Sequence, residues 1–174
     1  RREPAARDVL AWWCDKLRGA PTCVELPLDR PRAVTPGTAS AVDVLISSGV
    51  GAAMRALAEQ ERVSPLCALL AAWTVVVCRL SGQDELVLGQ PQSVHEQHSE
   101  LAPLVGCLVN TLPLRLRVDD GADSYRGVLR HVFDELLQAI GHAEVPLYRI
   151  VHAANPERSR RAVSCMHARA YCLL

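Results

Sequence analysis

The spacing of apolar residues along the chain predicts five helices. Residues 124–140 give the clearest amphipathic pattern, because their apolar residues recur at intervals of three and four. Residues 6–18 and 50–62 repeat the pattern over fewer turns. A shorter helix is predicted from Pro146 to His152, since proline is favoured at the start of a helix.

The helix predicted between residues 64 and 82 has the best-marked ends. Ser64 is a typical N-cap, Pro65 suits the first helical position, and Gly82 follows the last turn. We expect this helix to be central to the fold, with small residues around the rest of its circumference. Its large apolar set is Leu66, Leu69, Leu70, Trp73, Val76, Val77 and Leu80.

Alternation of apolar and polar residues predicts strands between these helices. Residues 41–46 and 104–118 alternate over several positions, and residues 85–89 form a shorter strand that we expect Pro91 to end. Strands interspersed with helices predict an α/β fold, or an α+β layered sandwich. A length of 174 residues fits one domain or one large lobe.

The composition excludes some partners and indicates a compartment. The 19 basic and 19 acidic residues cancel, so we expect neither nucleic acid nor a membrane surface as partner. Residues 66–78 form the longest apolar run, which is too short to cross a bilayer, and no secretory signal is expected. The seven cysteines are scattered without a Cys-x-x-Cys pair, which favours buried free thiols and a cytoplasmic location.

Three candidate chemical sites are weaker than their structural interpretations. Residues 95–98 (His-Glu-Gln-His) place the two histidines three apart, whereas a zinc-protease helix needs four, so we expect a polar loop and no metal. Cys107 lies in an apolar stretch, where core packing is favoured over catalysis. Residues 49–51 lack the further glycine and the lysine of a phosphate loop. The residues alone therefore predict no self-contained active site.

Four stretches together resemble the condensation domains of nonribosomal peptide synthetases. Residues 26–32 resemble the family's Leu-Pro-x-Asp-Arg-Pro-Arg linker, and residues 79–89 its helix-to-strand segment. Residues 105–115 are similar to Gly-x-Phe-Val-Asn-Thr-x-x-x-Arg, with Leu108 at the Phe position. Residues 142–150 resemble His-Gln-Asp-x-Pro-Phe-Glu. The stretches occur in the order of the family.

The resemblance implies the second of two lobes, each similar to chloramphenicol acetyltransferase. In such domains the amine of one carrier-bound aminoacyl thioester attacks another thioester in a tunnel between the lobes. The family's His-His-x-x-x-Asp-Gly motif belongs to the first lobe and does not occur in this sequence. The resemblance therefore implies an incomplete lobe that contributes no catalytic residue and is inactive alone.

The resemblance also implies site residues and partners. Asn110, Thr111 and Arg115 would shape the tunnel wall at the lobe junction, and Arg115 could pair with a carboxylate there. The alternative is that Asn110 and Thr111 satisfy backbone groups and that Arg115 is a solvated strand charge. The remaining motif positions, to which we assign structural roles, are Asp29, Arg30, Gly106, His142 and Pro146. No cofactor is expected on the chain itself, since the substrates ride on the 4'-phosphopantetheine of carrier proteins. The implied partners are those carriers, the missing first lobe and an adjacent adenylation domain.

The resemblance weakens toward the end of the chain. We predict a partial condensation domain over residues 1–155 and a divergent tail over residues 156–174, arising from truncation or a frame shift. Epimerisation and heterocyclisation domains share the fold but usually replace Val109-Asn110-Thr111, which argues against them here. The remaining alternative is a non-catalytic module that docks carrier proteins or another synthetase.

Overall fold

A computed structural model describes residues 3–27, 43–93, 103–106, 108–119 and 124–154. Within these residues, helices pack against a sheet of two antiparallel strands. The elements in chain order are helix α1 (Glu3–Lys16), helix α2 (Ser48–Glu61), helix α3 (Pro65–Ser81), strand β1 (Glu85–Ser93), strand β2 (Val109–Arg117), helix α4 (Tyr125–Gly141) and helix α5 (Leu147–Ala154). The mixed helix-and-sheet prediction is confirmed.

The core lies between one face of the sheet and the helices above it. The even-numbered leucines of both strands are buried, as the alternation in residues 104–118 predicts. Helix α4 packs on β2 and helix α3 on β1. Trp13 of α1 and Ile150 of α5 complete this core, and both are fully buried. The buried strand residues are Leu86, Leu88, Leu112, Leu114 and Leu116.

Pro91 does not end strand β1, contrary to the sequence prediction, and the hydrogen-bond phase explains why. The amide of Val118 donates to the carbonyl of Asp84 (2.8 Å). In this antiparallel register, hydrogen-bonded pairs recur every second residue, so the even-numbered pairs carry the hydrogen bonds between the strands. Odd-numbered residues then direct their backbone groups away from the partner strand. Pro91 and Pro113 are both odd-numbered, and neither removes a bond from the ladder.

The predicted ends of helix α3 are confirmed, and its predicted apolar set is divided: Leu70 and Val77 are buried, whereas Trp73, Val76 and Leu80 are exposed. Ser64 caps the N-terminus through the amide of Cys67, and Gly82 adopts the left-handed conformation (φ 67°) at the other end. Small residues make up most of the buried face, because they let the helix approach its neighbours closely. The buried positions of this helix are Cys67, Ala68, Leu70, Ala71, Thr74, Val77 and Cys78.

The strand predicted at residues 41–46 does not form within its described part. Residues 43–47 have no regular secondary structure, and residues 41 and 42 lie outside the described residues. Val44 and Leu45 are 81% and 98% exposed, so these apolar side chains contact little of the described chain. A strand needs a neighbouring strand to bond its backbone, and the described sheet contains only β1 and β2.

No single described helix is long and apolar enough to cross a membrane. Helices α2 and α3 reach the required length and composition only as a pair, which is bent by 109°.

Candidate functional site

Asn110 joins two of the sequence motifs in space. Its side-chain amide donates to the carbonyls of Ala143 (2.8 Å) and Val145 (3.0 Å). Its side-chain oxygen accepts a hydrogen bond from the amide of Leu147 (3.2 Å), the first residue of α5. One side chain thus satisfies three backbone groups in the turn that leads into α5. The start of β2 and the segment around Pro146 are held together by this residue.

His142 is fixed from three directions. Its ring stacks on Trp12 of α1, with 3.7 Å between the ring centroids and parallel planes. Its carbonyl accepts a hydrogen bond from the indole nitrogen of Trp13 (3.0 Å). Its Nδ1 lies 2.8 Å from the carbonyl oxygen of Gln138. A carbonyl oxygen only accepts, so Nδ1 carries a proton, and Nε2 is the acceptor in the neutral ring.

Arg115 binds a carboxylate and a helix end at once. Its guanidinium contacts both carboxylate oxygens of Glu85 on the neighbouring strand, at 2.7 and 3.2 Å. It also donates to the carbonyls of Lys16 and Arg18, each at 3.0 Å, where α1 ends. The hydrogen bond with Glu85 raises the pKa of Arg115 above its ordinary value. Arg115 is therefore bonded within the described chain and is not a solvated strand charge.

The three predicted tunnel-wall residues lie on two faces of the sheet. Asn110 has the even-numbered register of the buried leucines and points toward the turn before α5. Thr111, half-buried opposite Pro91, and Arg115 belong to the other face. A role for all three in shaping a tunnel wall stays a prediction. Of the motif positions, Pro146 accepts backbone hydrogen bonds from the first turn of α5, and Gly106 is exposed.

Some predicted positions fall outside the described residues. Asp29 and Arg30 of the linker motif do so, as do Cys107 and the histidines of residues 95–98. Among the described residues, no group of three or more His, Cys, Asp or Glu side chains is arranged to hold a metal ion. No cofactor is assigned to them.

Two ionic clusters escaped the sequence predictions. Lys16 pairs with Glu135, a buried acid on the core face of α4, and also donates to Gln138. Glu61 at the end of α2 pairs with Arg126 (3.0 Å) and Arg130 (3.1 Å) of α4. The sequence did carry a signal for the first cluster: Glu135 lies within the apolar stripe of α4, and a buried charge needs a partner. The second had no local signal, because its members are more than sixty residues apart.

These contacts connect α1, β2, α4 and α5 without assembling a nucleophile beside a base. The described residues of the site bind backbone groups and each other, which suits a wall that shapes a cleft. They offer no paired groups for acid–base or covalent chemistry.

Comparison with protein families defines the class. The family model "Condensation domain" matches residues 2–166, which is nearly the whole chain. The chain belongs to the condensation-domain family.

Among curated proteins, similarity is to nonribosomal peptide synthetases. The chain is 35% identical over 149 residues to malpibaldin synthetase of Mortierella alpina, covering 85% of this chain and 3% of that protein. It is 34% identical over 155 residues to phosphinothricin tripeptide synthetase PhsB of Streptomyces viridochromogenes, covering 87% of this chain and 13% of PhsB. The chain thus spans a small part of the relatives it matches.

Solved structures share the fold and confirm the predicted fold class. The four-domain nonribosomal peptide synthetase holo-AB3403, bound to AMP and glycine, gives a TM-score of 0.82 at 26% identity, over 88% of this chain and 12% of that one. The X-domain from teicoplanin biosynthesis gives a TM-score of 0.83 at 22% identity, over 92% of this chain and 36% of that one. The chain therefore matches about a third of the X-domain structure.

Proposed function

We propose that this chain forms part of the second lobe of a peptide-bond-forming condensation domain and supplies one side of its substrate cleft. The observation that carries the proposal is the family match over residues 2–166, combined with a span of about one third of a whole X-domain structure. The sequence contains no adjacent histidine pair. A general base for the attacking amine then comes from outside this chain.

The chemistry needs two sides of a cleft. The acceptor amine attacks the donor thioester carbon, a C–N bond forms, and a positioned base takes up the amine's proton. The C–S bond breaks and its electron pair leaves with the sulfur of the donor carrier's phosphopantetheine, which is released as a thiol after taking up a proton. Holding two tethered reactants in line supplies much of the rate enhancement. In this proposal Thr111 and Arg115 shape one side directly, while Asn110 fixes the turn before α5 that borders it.

The partners follow from the same proposal. The substrates would arrive as thioesters on the 4'-phosphopantetheine of carrier proteins, with an adenylation domain and a first lobe in the same assembly line. We place the reaction in the cytoplasm, in line with the cysteine pattern. Residues 167–174 lie beyond the family match, so deleting them should leave the unfolding midpoint of the chain unchanged.

The test restores the missing lobe. The purified chain is combined with the first lobe of the PhsB condensation domain and with two carrier proteins loaded with aminoacyl thioesters, and dipeptidyl product is measured by mass spectrometry. We expect product only when both lobes are present. The matched control replaces the general-base histidine of the added lobe with alanine. Product from this chain without the first lobe would contradict the proposal.

A second candidate function is a non-catalytic docking module. One observation favours it: a solved complex of the teicoplanin X-domain with OxyB has the same fold, with a TM-score of 0.81 at 22% identity over 90% of this chain. Carrier-protein binding that persists without any product in the reconstituted assay would favour this function over the first.

A further inference from the structure

Helix α3 carries a large apolar stripe on the side opposite its buried face. Trp73, Val76 and Leu80 follow one another at spacings of three and four residues and therefore share one side of the helix. They are 43%, 48% and 56% exposed. Leu66 and Leu69 continue the stripe toward the N-terminus and are half-buried, and Leu66 packs against the core. We call Trp73, Val76 and Leu80 the α3 stripe.

The α3 stripe is unusual for a helix that is meant to face water. Helix α3 has a single charged residue, Arg79, in 17 positions, and it is apolar around its circumference. Helices of that kind are typically buried on all sides. The small residues already fill one side, so the sequence of α3 fits a helix that lies between two layers. The described chain supplies only one of these layers.

The sheet below α3 is open in the same sense. Because even-numbered pairs hold the ladder, the odd-numbered amides of both strands point outward. Outward amides of Val87 and Gly89 on β1, and of Thr111 and Arg115 on β2, therefore lie on edges that no described strand covers. A two-stranded sheet is marginal by itself, and further strands or helices normally complete it.

We propose that the α3 stripe is an interface for the remainder of a condensation domain, carried by polypeptide outside this chain. The inference rests on the proposed function and adds the surface through which the missing portion binds. The teicoplanin X-domain extends well beyond the 36% of its length that this chain covers, so such a remainder has the size to cover both the α3 stripe and the sheet edges. A second copy of this chain is a poorer fit. Three half-exposed side chains fall far short of the roughly 800 Å² that each partner buries in a standard interface.

The test places the same substitutions in two settings. The triple variant W73Q/V76Q/L80Q is made in the isolated chain and in a complete PhsB condensation domain whose matching segment is replaced by residues 8–155 of this chain. In the isolated chain we expect the midpoint of thermal unfolding to fall by only about 5 °C, because the three side chains are already about half exposed. In the complete domain we expect a fall of more than about 10 °C, because three buried side chains become polar.

A core variant is the matched control. Val132→Ala removes two methyl groups from a fully buried position of α4 and should lower the midpoint in both settings. The interface proposal is overturned if the triple variant changes the complete domain as little as it changes the isolated chain. It is also overturned if the chimeric domain does not fold with the natural stripe, or if sedimentation shows an isolated dimer that the triple variant dissociates.

Failure of this inference and failure of the proposed function give different results. A chimeric domain that folds, depends on the α3 stripe and forms no dipeptide supports the interface and contradicts the catalytic role. A chimeric domain that forms dipeptide and whose unfolding midpoint does not change with the triple substitution supports the catalytic role and contradicts the interface.

Discussion

The corner where α1 meets α4 and α5 differs from the outer side of α3 in how its side chains are used. At the corner, the indole nitrogen of Trp13, Nδ1 of His142 and the side-chain amide of Asn110 are hydrogen-bonded within the described chain. On the outer side of α3, large apolar side chains stand half in water. Side chains in the first region are buried or hydrogen-bonded within the described chain, whereas apolar side chains in the second region remain half-exposed. The contrast predicts that the corner contributes more to stability than the outer side of α3, where we propose an interface.

The two tryptophans Trp13 and Trp73 provide the largest contrast. Trp13 is fully buried and donates to the carbonyl of His142, so Trp13→Ala should lower the free energy of unfolding by about 3–5 kcal/mol. Trp73→Ala should cost about 1 kcal/mol, since nearly half of that side chain is already exposed. Pulse proteolysis in urea at low protein concentration measures both while limiting aggregation of the apolar surface. Equal losses would remove the distinction between the two regions.

Asn110 should give the next largest effect. Asn110→Ala leaves two carbonyls and one amide without their partner in a half-buried turn, which should cost about 2 kcal/mol. Asn110→Asp should be no better, because its carboxylate would face two carbonyl oxygens that only accept hydrogen bonds. Thr111→Val is the neighbouring control, on the opposite face of β2, and should cost less than about 0.5 kcal/mol. Urea midpoints of the three variants decide whether Asn110 fixes the turn.

These two regions also show what the sequence could and could not predict. The ends of α3 were predictable because Ser64, Pro65 and Gly82 act on their immediate neighbours. Its buried face was not, because a helix that is apolar on all sides has no periodicity to reveal which side packs first. Continuation of β1 past Pro91 depends on the hydrogen-bond phase set by β2. The motifs singled out Asn110 and His142, but their partners come from segments that only the fold brings together.

The ion pair of Arg115 and Glu85 should contribute less than the buried residues of the corner. Both side chains are about one quarter exposed, and water weakens their attraction. A double-mutant cycle with Arg115→Met and Glu85→Gln should give a coupling energy of about 1 kcal/mol. The control pair is Asp15 of α1 and Arg18 just beyond the helix, which are about three-quarters exposed and should show no measurable coupling. A coupling energy as small for Arg115 as for Arg18 would mean that the two-point contact between the guanidinium and the Glu85 carboxylate does not stabilise the fold.

The smallest predicted effect is a dependence on alkaline pH at Tyr125, which ties α4 to α3. Its hydroxyl donates to the carbonyl of Ala68 (2.7 Å), and burial raises the pKa of Tyr125 above its ordinary value of 10.0. The raised pKa means that folding favours the protonated hydroxyl. Its contribution is therefore complete below pH 10 and is lost as the pH rises through the pKa of the folded state. Relative to Tyr125→Phe, we expect an advantage of up to about 1 kcal/mol at pH 8 that shrinks above pH 10. Urea unfolding of both proteins at the two pH values measures this difference. A constant difference between them would show that the hydroxyl does not lose a stabilising proton in this range and that another contact joins α3 to α4.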